Sequence, residues 1–166
     1  MSRYRPPAPQ SSPYITAAGF RALSAERDEL WARRREVVTH LAAAAAEGDR
    51  SENAEYIYRK KQLREIDRRI RYLQKRLPGL TVVEQVPPDR RKVYFSASVT
   101  VGNEAGDEAC YRIVGADEID PARNWISIDA PMSRALLGRA VDDEVTVTTP
   151  SGAASWFIIS VSYEDD

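Results

Sequence analysis

Glu47-Gly48-Asp49-Arg50-Ser51-Glu52-Asn53-Ala54-Glu55-Tyr56 is the stretch whose reading decides the fold. Gly48 is a poor helix former and the usual residue where a helix ends in a left-handed turn. Asp49 and Ser51 are both N-cap types, and Glu52 follows Asp49 by three places, so a second helix is expected to start here. A short joint between two helical patterns is the tip of an antiparallel hairpin. This tip carries the carboxylates Asp49, Glu52 and Glu55 between flanks rich in Arg and Lys.

Upstream, the spacing predicts a helix from about Thr16 to Ala46. Phe20, Leu23, Arg27, Leu30, Arg34, Val37, Leu41 and Ala44 recur in steps of three and four, the heptad seam of a coiled coil. Arg27 and Arg34 break the apolar line and fit its edge, stems packed and heads in water. Ala42 to Ala46 are all alanine, which favours helix and keeps the rod thin near the tip. Downstream, a helix is expected from about Ser51 to Leu77, with the seam Tyr56, Arg59, Leu63, Ile66, Ile70, Leu73 and Leu77. Pro78 and Gly79 end it. Helices of this length span roughly 40–45 Å at 1.5 Å per residue.

The period then changes. Val93, Phe95, Ala97, Val99 and Val101 alternate with polar or small residues, as in a half-buried strand. Strands are expected around Tyr111 and Ile113, over Trp125–Ile128, from Val145, and over Trp156–Tyr163, with a short helix over Met132–Leu137 that follows Pro131. Leu80–Val86 reads as a linker or edge strand. The fold class is α+β: a coiled-coil hairpin over 14–78, then a mostly antiparallel α+β domain over 79–166. The Pro- and Ser-rich residues 1–13 read as a disordered extension.

The formal net charge of −1 hides a split, +7 over residues 1–78 and −8 over 79–166. A basic rod favours polyanions such as RNA or DNA. The one cysteine, Cys110, rules out an intrachain disulfide and reads as a small buried residue. No apolar run approaches the ~20 residues of a membrane span, and the N-terminus lacks a signal-peptide core, so a cytoplasmic protein without membrane partners is expected. Trp31, Trp125 and Trp156 read as packing residues, Tyr56 as closing the seam, and His40 as a surface residue.

Two features carry chemistry. Asp49 and Glu52, three residues apart at a helix start, can point the same way. The same spacing is a capping box, with Asp49 at the N-cap and Glu52 at N3, and a carboxylate satisfied by its own helix is less free to bind a metal. Arg59, Lys60, Lys61, Arg64, Arg68, Arg69, Arg71, Lys75 and Arg76 make the second helix strongly basic. They can hold RNA through its phosphates, or form a solvated face partly paired with Glu26, Glu29, Glu36, Glu65 and Asp67.

Four segments together resemble the Gre-type transcript cleavage factors of bacterial RNA polymerase, the GreB branch most closely. They are Gly48–Tyr56, Leu63–Leu73, and, in the second half, Arg112–Gly115 with Ile126–Leu137. The resemblance covers about residues 14–165. It implies an N-terminal coiled coil and an FKBP-like C-terminal domain. It also implies a factor that is not itself an enzyme: a monomer that docks at the rim of the polymerase secondary channel and sends its coiled coil inward. There it stimulates the polymerase's Mg²⁺-dependent cleavage of backtracked RNA at the extruded 3′ end. The family's tip acids fall on Asp49 and Glu52. Asp49 would complete the ligand set of the polymerase's second Mg²⁺, and Glu52 would orient or deprotonate the attacking water. Arg59, Lys60, Lys61, Arg64 and Arg68 would follow the RNA. Polymerase binding falls on Asp129, Ala130, Pro131 and Met132, with alanine at 130 where the family often has serine. No cofactor of its own is implied. The alternatives are a channel-binding inhibitor without cleavage stimulation, a prolyl isomerase suggested by the fold alone, and a coiled-coil nucleic-acid adaptor.

Overall fold

A computed structural model describes residues 10–47 and 53–164. By internal contacts the chain forms two units: Phe20–Leu80, and the residues up to Gly19 together with Thr81 onward. The segment before Phe20 thus groups by contacts with the later residues, and Gly79 and Leu80 group with the hairpin.

The first unit is the expected hairpin. Helix α1 runs Ala17–Ala45 and helix α2 runs Ala54–Arg76, followed by a 3-10 turn over Leu77–Gly79. At 1.5 Å per residue they are about 44 and 35 Å long. Cross-helix bonds fix the antiparallel sense. Glu26 pairs with Arg69, Arg34 with Asp67, and the Ala44 carbonyl with Asn53, so numbers rise along one helix as they fall along the other. Every residue of both expected seams is buried or half-buried. Val37, Ile66 and Ile70 form the centre, with Leu30 and Leu63 packed against them. Arg34 lies at the seam's edge, its head paired with Asp67 Oδ1 at 2.7 Å. The start of α2 differs from expectation. Its N-cap is Asn53, whose side chain accepts from the Tyr56 amide; the expected capping-box residues Asp49 and Glu52 lie outside the described residues. Trp31 also departs from its expected packing role: it is 38% exposed, at the edge of the seam.

The second unit contains a five-stranded sheet in the order β5-β4-β3-β7-β6. The strands are β3 Ser98–Gly102, β4 Glu108–Val114, β5 Trp125–Ser127, β6 Glu144–Thr149 and β7 Gly152–Ser162, with helix α3 over Pro131–Leu136. All pairings are antiparallel except β4 with β5. The core gathers Val93, Ala97, Val99, Val101, Ile113, Leu136, Val145 and Ile158. Alternation from Val93 overstated the first strand. The chain turns between Tyr94 and Ala97, with Ser96 at φ 71°, and regular pairing starts at Ser98. Cys110 is exposed rather than buried, because the first half of β4 keeps its outer face open.

A second small sheet was only half legible. Strand β1, Tyr14–Thr16, pairs in parallel with β2, Thr81–Val83. The Leu80–Val86 segment is thus an edge strand, and its partner lies just before α1. Residues 1–9 of the expected extension lie outside the described residues. Residues 12 and 13 are fastened: Ser12 bonds to Asp129, and the Pro13 carbonyl accepts from the Thr81 amide at 2.8 Å.

Candidate functional site

Gly48 to Glu52, including the two candidate acids Asp49 and Glu52, lie outside the described residues. The frame around them is defined. On the incoming side α1 ends at Ala45, with the Ala46 and Glu47 amides bonded back to the carbonyls of the last turn. On the outgoing side Asn53 makes two bonds at once. Its Oδ1 accepts from Tyr56 N at 3.1 Å, and its Nδ2 donates to Ala44 O at 2.7 Å. The first satisfies an orphan amide of α2, and the second adds a donor to a last-turn carbonyl of α1 that also accepts from the Glu47 amide. One side chain thereby ties together the two helix ends that bracket the acidic segment.

The basic residues of α2 divide into two groups. Arg59 is half-buried. It pairs with Glu55 Oε1 at 2.8 Å and Gln62 Oε1 at 3.1 Å, and its guanidinium lies 5.5 Å from the Tyr58 ring centroid. Lys60 places Nζ 5.8 Å from the Tyr56 ring centroid. Lys61, Arg64 and Arg68 are exposed, and among the described residues none has a carboxylate within ion-pair distance. Continuing the same steps of three and four, Arg71 and Lys75 extend them into a single row along the exposed face. Arg69, by contrast, makes a two-point contact with Glu26, at 2.8 and 3.0 Å. Among the described residues the helix thus carries both ion-paired cations and exposed ones without a carboxylate partner.

The segment Asp129–Met132 sits where β5 passes into α3. Ala130 is the N-cap of α3 and offers no side-chain bond, and Pro131 fills the first helical position. The Ala130 amide instead turns back to Ser127 O at 2.9 Å. Ser133, fully buried, donates to the same carbonyl at 2.6 Å. Pro131 is exposed, whereas Met132 and Leu137 are half-buried against the core and Leu136 is fully buried. Leu136 is therefore core, not docking surface. Asp129 holds the chain's own N-terminal segment: Oδ2 accepts from the Ser12 amide at 2.8 Å and Oδ1 from the Ser12 hydroxyl.

A second carboxylate fastens the same segment, and sequence reasoning passed over it. Glu118 Oε2 accepts from Thr16 N at 3.1 Å and Gly115 N at 2.8 Å, and Oε1 accepts from the Thr16 hydroxyl. The fit needs two glycines. A Cβ on Gly115 would stand 2.2 Å from Tyr14 O, and one on Gly19 would stand 2.0 Å from Glu118 Oε1. The Gly115 of the Arg112–Gly115 motif was the available signal for this close approach.

Two family models match the chain. One, described as "Transcription elongation factor, N-terminal", covers residues 13–82. The other, "Transcription elongation factor, GreA/GreB, C-term", covers 88–163. Curated relatives named "Transcription elongation factor GreB" align over nearly the whole length. That of Xanthomonas axonopodis pv. citri is 56% identical over 98% of both chains, and that of Pseudomonas aeruginosa 55% identical over the same shares. Among solved structures, the transcription factor Gfh1 matches with a TM-score of 0.44 at 21% identity, over 89% of this chain and 96% of that one. A GreA/GreB factor from Nitrosomonas europaea matches with a TM-score of 0.41 at 32% identity, over 57% and 79%. The sequence matches define the class as transcription elongation factors. Within that class, the chain belongs to the GreA/GreB family.

Proposed function

We propose that this chain works inside RNA polymerase, where its hairpin enters the secondary channel and stimulates cleavage of backtracked RNA. The observation that carries this reading is the hairpin itself. The segment with Asp49 and Glu52 joins the ends of two paired helices, and Asn53 supplies the cap of α2. A carboxylate pair at that joint suits delivery into a partner's site better than binding a metal alone. Mg²⁺ takes oxygen ligands and usually keeps only one or two protein carboxylates, so the donor set fits an ion shared with the polymerase. Such an ion stabilises the charge that develops on the scissile phosphate. Asp49 offers it a carboxylate ligand. Glu52 accepts a hydrogen bond from the attacking water and takes its proton.

The exposed row Lys61, Arg64 and Arg68 holds the extruded 3′ segment by its phosphates, in a salt-dependent way. Asp129 to Met132 contribute to docking on the polymerase, with the exposed Pro131 as the outward element. The test is to add the protein with Mg²⁺ to a stalled, backtracked elongation complex. Shortened RNA with renewed extension is expected. Binding without shortening would make the protein a channel-blocking inhibitor instead.

A further inference from the structure

Trp31 is a large aromatic residue beside the coiled-coil seam, 38% exposed and so only partly taken up by packing. It borders a groove of about 510 Å³ shared with Arg34, Asp67, Ile70, Arg71 and Gln74. The groove has the parts a nucleobase needs. The indole supplies a flat apolar face, 38% exposed, and Ile70 an apolar floor. The Gln74 amide can both donate to and accept from a base edge. Asp67 is neutralised by Arg34 at 2.7 Å, and that guanidinium lies 6.0 Å from the indole centroid, so the wall does not repel a polyanion. Arg71 spends one N–H on the Asp67 carbonyl, at 3.4 Å, and keeps further donors for phosphate. Arg71 also belongs to the cationic row that begins at Lys61, Arg64 and Arg68.

We propose that this groove is a base-stacking subsite for single-stranded RNA, with Trp31 as the platform, Gln74 as the edge contact and Arg71 as the link to the phosphate row. The inference rests on the reading of that row as an RNA track. Aromatic faces beside cations are the usual means of holding single strands without sequence preference. Trp31 lies fourteen residues before the end of α1, about 21 Å along its axis. That distance is about six nucleotides at the roughly 3.4 Å per-strand spacing of a stacked helix. The subsite therefore serves only transcripts extruded far enough to reach it.

The experiment compares two backtracked elongation complexes, one with two extruded nucleotides and one with ten or more. It measures the protein concentration for half-maximal cleavage with wild type, Trp31→Ala, Trp31→Phe, and a track variant carrying Lys61→Gln, Arg64→Gln and Arg68→Gln. Trp31→Ala should raise that concentration about tenfold on the long extrusion, the loss of one stacked base, and leave the short one unchanged. Trp31→Phe should restore most of the loss. Equal losses at both lengths, or none at either, overturn the proposal. A defect in the track variant with none in Trp31→Ala removes the subsite alone. Wild-type behaviour of the track variant on long extrusions removes the track reading as well.

Discussion

The Asn53 side chain donates to the Ala44 carbonyl at 2.7 Å while capping the helix that follows it. This clasp sets where the two rods stop and the acidic joint begins. Its two halves can be separated by substitution. Asn53→Asp keeps an acceptor for the Tyr56 amide but has no donor for Ala44. Asn53→Ala loses both and should destabilise the hairpin by about 1–2 kcal/mol. Asn53→Asp should lie between Asn53→Ala and wild type. Thermal unfolding of the three proteins checks the order, and equal stability of all three would remove the clasp.

Asp129 is held by the chain's own Ser12 through both carboxylate oxygens. Asp129→Ala should therefore loosen the start of the chain as well as weaken polymerase docking. Faster hydrogen exchange at the Ser12 and Thr81 amides is the expected sign, the latter through Pro13 O. Ser12→Ala removes the hydroxyl bond alone and should give a smaller change. An Asp129→Ala variant with weakened docking and unaltered exchange would restrict Asp129 to the polymerase contact.

Tyr163 links two segments of the second unit. Its hydroxyl accepts from the Tyr94 amide at 2.9 Å and donates to the Lys92 carbonyl. Burial, the largest cause, pushes the phenol above its ordinary pKa of 10.0, against the lowering effect of the Tyr94 amide bond. The neutral phenol is thus favoured in the folded state. The stability it adds is fully present below the unfolded-state pKa and is lost as pH rises through the higher folded value. Unfolding free energy should fall above about pH 10 in the wild type, and less steeply in Tyr163→Phe. At neutral pH, Tyr163→Phe should cost about 1–2 kcal/mol, since the Tyr94 amide loses its acceptor. Urea titrations at pH 7 and pH 10.5 measure both effects.

The ion pairs between the rods should contribute little. Arg69–Glu26 and Arg34–Asp67 have side chains between 36% and 42% exposed. Double-mutant cycles should return coupling below about 1 kcal/mol for each, weakening further in high salt. The packed centre of Val37, Ile66 and Ile70 carries the association instead, and Ile70→Ala should cost about 2–5 kcal/mol.

Much of this architecture was legible in the sequence because helical periodicity is a local signal. Both seams, from Phe20 to Ala44 and from Tyr56 to Leu77, could be read residue by residue. What escaped depended on partners distant in sequence. Nothing around Tyr14 announces a strand whose partner is Thr81, and nothing around Ser12 announces Asp129. Glu118 looked like any surface acid until Thr16 and Gly115 were brought to it. The start of α2 was misjudged because Asp49, Ser51 and Asn53 are all good caps. The tie to Ala44, available to Asn53 through its amide donor, distinguishes it from the others. Trp31 was assigned to packing on residue type alone, although it falls one place beyond the seam residue Leu30.

The central claim is that the hairpin joint delivers working carboxylates to the polymerase. The most direct measurement is Mg²⁺-dependent RNA cleavage in a backtracked complex with Asp49→Asn, alongside the variant's affinity for the same complex. The account predicts helix content and affinity like wild type, with stimulated cleavage reduced at least a hundredfold, about 2.7 kcal/mol of transition-state stabilisation. Cleavage at the wild-type rate by a normally bound Asp49→Asn protein would contradict it.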